Sequence, residues 1–233
     1  MTGLRADAVL FDKDGTLFDF NATWVAWVEA MLARWSAGDA GLADRLAMAL
    51  DFDRAARVFR PGSVVIAGTP DDVAAAVAPV LGAAPGDLVA RLNAEAAAAP
   101  MAEAVPLAPL LSGLAGAGLR LGVATNDGEA PARAHLARSG VEGLFAFIAG
   151  SDSGHGGKPA PGMLLAFAAA VGIDPERIVM VGDSTHDLRA GRAAGMQTIG
   201  VLTGLAAAET LAPFADAVLP DIGHLPDWLA DVE

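Results

Sequence analysis

Ala8-Val9-Leu10-Phe11-Asp12-Lys13-Asp14-Gly15-Thr16 is the stretch on which the fold turns. Four apolar residues with no polar alternation read as a strand buried on both faces, and such strands belong to parallel sheets covered by helices. The same texture recurs at Leu121-Gly-Val-Ala124, Phe145-Ala-Phe-Ile148, Ile178-Val-Met-Val181, Thr198-Ile-Gly-Val-Leu202 and Ala217-Val-Leu219. Stretches of helical period separate these runs at 131–139, 161–171 and 187–194. Gly140, Gly172 and Gly195 stand where a left-handed helix stop favours glycine. Strand, helix and strand in regular succession predict an α/β fold around a parallel sheet.

The region after the first strand differs. Ala22-Thr-Trp-Val-Ala-Trp-Val-Glu-Ala-Met-Leu-Ala-Arg-Trp35 is one long helical pattern, followed by others at 42–50, 70–81 and 85–99. Val64-Val-Ile66 is the lone strand candidate among them. The expected organisation is therefore a sheet-bearing core made of 1–19 and 103–233, with a helical unit inserted at 20–102. Its exit lies at 100–106, where proline blocks helix continuation.

Composition narrows the function classes. The chain has 233 residues, 28 acidic against 15 basic, a net charge of −13 and a pI of about 4.5. So acidic a chain repels nucleic acid and anionic membrane, and neither is expected as a partner. With no cysteine, disulfides, thiolate zinc sites, iron–sulfur clusters and cysteine nucleophiles are excluded. There is no apolar run of about 18 residues, the length a membrane helix needs. The few residues before the first strand are too short for a secretory leader, which makes a cytoplasmic location the expectation.

In open parallel sheets, chemistry gathers beyond the carboxyl ends of the strands. The first run is followed by Asp12-Lys-Asp-Gly-Thr16, the second by Thr125-Asn126 and the third by a glycine-rich loop ending Gly157-Lys158-Pro159. The fourth is followed by Gly182-Asp183-Ser-Thr-His-Asp187. Each has an ordinary reading alone. Asp14-Gly15 is a common turn pair, Thr125-Asn126 and Asp187 are good helix caps, and Gly157-Lys158 is followed by proline where a P-loop needs Ser or Thr. In this order, each at a strand tip, the four converge on one crevice.

These four motifs resemble those of the haloacid dehalogenase-like hydrolases, and the resemblance spans residues 8 to about 203. The implied fold is a Rossmann-like core with an inserted α-helical cap, which the 20–102 region matches. Asp12-x-Asp-Gly-Thr-Leu-x-Asp19 and Gly-Lys158-Pro-Ala-Pro161 are most similar to the phosphoglycolate-phosphatase-like branch. That branch commonly has Ser after the position of Asp19, where this chain has Phe20.

The resemblance implies hydrolysis of a small phosphate monoester. Asp12 is the expected nucleophile, forming an aspartyl-phosphate. Asp14 is the expected acid and base, protonating the leaving oxygen and then accepting a proton from water. Crowded acids beside an anionic substrate call for a divalent cation, and an all-oxygen site suits Mg²⁺. Asp12 and Asp183 would supply carboxylates to it and Asp14 its backbone carbonyl, with Asp187 bracing this shell or the Lys158 ammonium. Lys158, the Thr125 hydroxyl and the neighbouring Asn126 are expected to hold phosphate oxygens. Lys13 is expected to point away from the site by alternation along the strand end.

Alternatives share the scaffold. Halide release needs no protonating acid, so Asp14 argues against a dehalogenase. A Schiff-base cleavage needs a cap lysine, and 20–102 has none. A sugar-phosphate mutase shares the core chemistry and differs in keeping water out. A signalling receiver would carry its lysine after the last acid, whereas Lys158 precedes Asp183. A silent phosphate-binding protein would not need every chemical position filled. One of the cap cations Arg57 and Arg60 is expected to meet a second substrate anion, should there be one. His155 and His186 are expected to be structural or exposed, and Trp24, Trp27 and Trp35 to serve packing.

Overall fold

The computed structural model describes residues 4–230. Eight strands and eleven helices follow in chain order. The strands are β1 (Ala8–Phe11), β2 (Phe52–Asp53), β3 (Val58–Phe59), β4 (Arg120–Ala124), β5 (Phe147–Ala149), β6 (Ile178–Gly182), β7 (Gln197–Val201) and β8 (Ala217–Leu219). The helices used below are α1 (Phe20–Ser36), α2 (Ala40–Ala49), α3 (Val64–Ala67), α4 (Pro70–Leu81), α5 (Gly86–Ala97), α6 (Leu107–Gly116), α7 (Glu129–Arg138), α8 (Gly162–Val171) and α9 (Thr185–Ala194).

Six strands form one parallel sheet in the order β5-β4-β1-β6-β7-β8. The double-sided burial read from the sequence is explicit in β1: Val9 and Phe11 join the cluster on one face, Ala8 and Leu10 the cluster on the other. Leu121 and Val123 of β4, and Val179 and Val181 of β6, line up with the first set, while Ile178 and Met180 join the second. Strand register places Phe11 opposite both Val123 and Val181. The residues that follow these three strands therefore emerge at one level of one edge.

α1 to α5 pack around a third cluster built on Trp27, Val28, Met31, Leu46 and Val77. The chain enters this unit at Asp19, whose carboxylate accepts the Ala22 N–H at 2.7 Å and caps α1. It returns alongside its own entry, with Asp19 N–H donating to Ala102 O at 2.9 Å and Ala104 N–H to Leu17 O at 2.9 Å. Among the described residues no single helix is long and apolar enough to cross a membrane; α4 and α5 together reach that length but meet at a bend of 116°.

One strand expectation shifts and one weak candidate resolves as helix. Val64-Val-Ile66 is not a strand but part of α3, because Ser63 Oγ accepts the Val65 N–H and starts a helical turn. The run at 145–148 begins two residues late, since Phe145 closes a 3₁₀ turn and β5 starts at Phe147. The helical unit also carries a two-residue antiparallel ladder, β2 with β3.

Candidate active site

Asp12 follows β1, Thr125 follows β4 and Asp183 follows β6, so three parallel strand tips deliver three of the expected side chains to one place. Lys158 reaches them from the loop before α8. Its ammonium donates to Asp12 Oδ1 at 2.6 Å and to Ala124 O at 2.7 Å, and it pairs with Asp187 Oδ1 at 2.6 Å. Three acceptors meet the three N–H bonds of a buried ammonium. Burial alone works against this cation, but Asp12 and Asp187 outweigh it and hold its pKa above the ordinary range.

Asp187 is fixed by the start of its helix. Ser184 Oγ accepts the Asp187 N–H, while Asp187 Oδ2 accepts the Ser184 N–H at 3.0 Å, a reciprocal box that leaves Oδ1 for Lys158. Asp183 is held by two glycines. A Cβ on Gly204 would lie 1.6 Å from Asp183 Oδ2, and one on Gly15 would lie 2.5 Å from it. Gly15 also has φ +83°, a left-handed conformation that disfavours any side chain.

Carboxylate oxygens of Asp12, Asp183 and Asp187 come within 4.8 Å of one another, all buried. Burial, opposed by Lys158 and reinforced by Asp187 and Asp14, pushes the Asp12 carboxyl up to about 7. Burial, with Asp12 and Asp187 adding to it, raises Asp183 well above the usual carboxylate range. Three carboxylates facing one ammonium leave a buried pocket of oxygen donors short of positive charge. That donor set fits a hard divalent cation.

Lys13 does not line the cavity. Its side chain is buried, with the ammonium 2.9 Å from Asp14 Oδ1, 3.1 Å from Asp127 Oδ2 and 3.1 Å from His135 Nδ1. Its ammonium lies behind the cavity wall, where it holds the Asp14 carboxylate. The Asn126 side chain donates through its amide to Ala67 O of α3 at 2.7 Å and to Lys158 O at 2.9 Å, and its carbonyl accepts the Lys158 N–H at 2.8 Å. That side chain thus joins the helical unit to the Lys158 loop. Thr125 is buried in the cavity wall, with its Oγ1 accepting the Asp127 N–H at 3.1 Å.

The cap cations lie elsewhere. Arg57 clamps Glu29 through Nε at 2.7 Å, and Arg60 faces Asp53 at 3.3 Å and Asp51 at 3.6 Å, both arginines exposed. His155 is exposed, whereas His186 reaches the cavity wall. Trp24 and Trp27 pack edge to face, as expected of core residues, yet both also line the cavity. Asp127, His135 and Gly204 were not singled out from the sequence. Asp127-Gly128 reads as a turn, His135 as one residue of a helix, and Gly204 follows a strand with no acid at its tip.

A family model for haloacid dehalogenase-like hydrolases matches residues 6–195, and the chain belongs to that family of hydrolases. A phosphoglycolate phosphatase of Rhodospirillum rubrum is 37% identical over 120 residues, covering 52% of this chain and 50% of that one. The tyrosine-protein kinase PtkA of Mycobacterium bovis is 41% identical over 104 residues, 44% of this chain and 35% of that one. The chain thus matches about half the length, or less, of these curated relatives. A haloacid dehalogenase family hydrolase of Deinococcus radiodurans R1, solved with bound phosphate and sodium, superposes with a TM-score of 0.66 at 26% identity, over 98% of this chain and 96% of that one.

Proposed function

We propose that this hydrolase is a Mg²⁺-dependent phosphatase of small phosphate monoesters, using the chemistry of the phosphoglycolate-phosphatase-like branch. The observation that carries the reading is the Asp12 carboxylate at a strand tip, bonded to Lys158 through Oδ1 at 2.6 Å and sharing its pocket with Asp183 and Asp187. Among the described hydrogen bonds none engages Asp12 Oδ2, which is the attacking oxygen. It forms a bond to phosphorus as the ester P–O bond breaks, leaving an aspartyl-phosphate. Asp14 gives its proton to the departing alkoxide. It then takes one from a water whose oxygen attacks the phosphoryl group, so that inorganic phosphate leaves and Asp12 is restored.

Lys158 offsets charge on the phosphoryl oxygens and Thr125 positions them. Asp12, Asp183 and the Asp14 backbone carbonyl would hold Mg²⁺, with Asp187 bracing Lys158; when bound, the ion supplies further charge neutralisation at those oxygens. The proposed division into a 1–19 plus 103–233 core and a 20–102 cap is supported by the separate hydrophobic cluster of α1 to α5. Closure of that cap over Asp12 excludes bulk water.

The test is phosphate release from p-nitrophenyl phosphate with Mg²⁺. Turnover should stop in EDTA and fall by at least about 10³-fold in Asp12→Asn, as expected when a covalent nucleophile is lost. Retained turnover in a folded Asp12→Asn protein would reject the nucleophile.

A further inference from the structure

The cavity over Asp12 has a largely apolar far wall. Phe20, Trp24, Trp27, Val65, Leu92 and Asn93 face the carboxylates from the helical unit. Among the described residues no arginine lines this cavity or the wider mouth beside it, and the one lysine in either is Lys158. That ammonium already serves Asp12, Asp187 and Ala124 O. Across from the wall stand Asp12, Asp14, Asp127, Asp183 and Asp187.

Two residues of the wall, Trp27 and Asn93, each carry a buried polar atom without a hydrogen bond among the described residues: Trp27 Nε1, a donor, and Asn93 Oδ1, an acceptor. Trp27 is only 3% exposed. Buried polar atoms are ordinarily paired, so an orphaned donor and acceptor in a cavity wall point to a ligand that carries their partners. A second carboxylate here would lose its hydration and meet neither an arginine nor an uncommitted lysine, beside acids whose ion pairs with Lys13 and Lys158 are already made. An uncharged apolar group would be buried against indole and alkyl surface instead.

We propose that the alcohol released by this enzyme is uncharged and largely apolar, of the size of a small ring. It carries a polar group that meets the Trp27 N–H or the Asn93 carbonyl. This rests on the phosphatase reading above and sets the chain apart in substrate from relatives named for phosphoglycolate.

The test compares benzyl phosphate, 4-carboxybenzyl phosphate and 2-phosphoglycolate by kcat/KM with Mg²⁺, using p-nitrophenyl phosphate as the common control. The two benzyl esters share a leaving group and differ by one remote charge. Benzyl phosphate should exceed each acid by at least about tenfold, the gap lying mainly in KM. Asn93→Arg, checked for folding by circular dichroism, should narrow the gap between the benzyl esters at least about threefold by supplying a counter-charge.

A 2-phosphoglycolate preference, or equal use of the two benzyl esters, overturns the inference while leaving the phosphatase reading intact. So does turnover of p-nitrophenyl phosphate with neither benzyl ester accepted. A gap that Asn93→Arg leaves unchanged overturns the assignment of that wall to the leaving group. No phosphate from any of the four esters overturns the phosphatase reading, and the inference falls with it.

Discussion

Lys13 holds a carboxylate on either side of its ammonium, Asp14 at 2.7 Å and Asp127 at 3.1 Å, where its side chain has no exposure. Burial disfavours this cation, yet Asp14 and Asp127 raise its pKa above the ordinary range, so it stays charged. Removing one partner of a buried ionic cluster strands the others. Lys13→Met should therefore lose about 3–5 kcal/mol in urea unfolding. Asp127→Leu added to it should recover part of the loss, because one stranded carboxylate goes too. A Lys13→Met protein as stable as the parent would deny the ammonium this role. Asp183 poses the opposite case. Its pKa is raised by burial first, then by Asp12 and Asp187. As pH rises past the ordinary carboxylate range the unfolded chain gives up this proton more readily than the folded one, so the group costs stability at neutral pH. In EDTA, Asp183→Asn should accordingly melt ~2–8 °C above the parent by calorimetry. With excess Mg²⁺ the order should reverse, because only the parent gains from binding. A lower melting point for Asp183→Asn in chelator would show that the acids are not in conflict.

At the scale of elements, the strand tips were legible because double-sided burial leaves apolar runs, and β1, β4 and β6 are each followed at once by a chemical residue. α3 was not legible, since Val64-Val-Ile66 has strand composition and only the Ser63 cap decides otherwise. The Asp127–Lys13–His135 cluster was hidden for a related reason: its members are 122 residues apart at the extreme, and nothing local marks any of them. The loop after β7 was hidden as well, although Thr203 Oγ1 donates to Gly15 O at 2.6 Å and Gly204 backs directly onto Asp183. That contact carries a prediction. Gly204 does not adopt positive φ, so alanine is tolerated by its backbone, yet the added Cβ would lie 1.6 Å from Asp183 Oδ2. Gly204→Ala should displace the carboxylate or the loop. Mg²⁺-dependent phosphate release should fall by about 10²-fold, because small misplacements at a reacting centre are that costly. Thermal stability should change by less than about 1 kcal/mol, as for a loop change outside the packed core. Full activity in Gly204→Ala would remove the loop from the site.

At the scale of the molecule, helical unit and sheet are joined beneath the site as well as across it. His135 of α7 is fully buried at this junction, its Nε2 2.9 Å from Ala96 O of α5 and its Nδ1 3.1 Å from the Lys13 ammonium. Arg138, one turn on, donates to Ala97 O at 3.0 Å and Ala99 O at 2.6 Å. With Lys13 as donor to Nδ1, the imidazole is neutral and its Nε2–H donates to Ala96 O. A proton on Nδ1 would oppose the Lys13 ammonium in a buried space. Burial first and Lys13 second lower the His135 pKa to about 4, from an ordinary value near 6.5, against a raising pull from Asp14. The sign follows from proton uptake. Between about 6.5 and 4 the unfolded chain binds a proton that the folded one refuses, so the stability tied to neutral His135 is present above 6.5 and is lost as pH falls to about 4. The shift corresponds to at most about 3 kcal/mol. Asp12 and Asp183, with raised pKa values, pull the total profile the other way as they take up protons on acidification. The histidine's share is therefore read as a difference. His135→Gln keeps an amide that can donate to Ala96 O and removes the titration. The stability gap between parent and His135→Gln should shrink by about 2–3 kcal/mol from pH 7 to pH 4.5 in urea unfolding. A gap independent of pH would mean that the imidazole accepts its proton in the folded protein, and that the junction between cap and sheet does not depend on its neutrality.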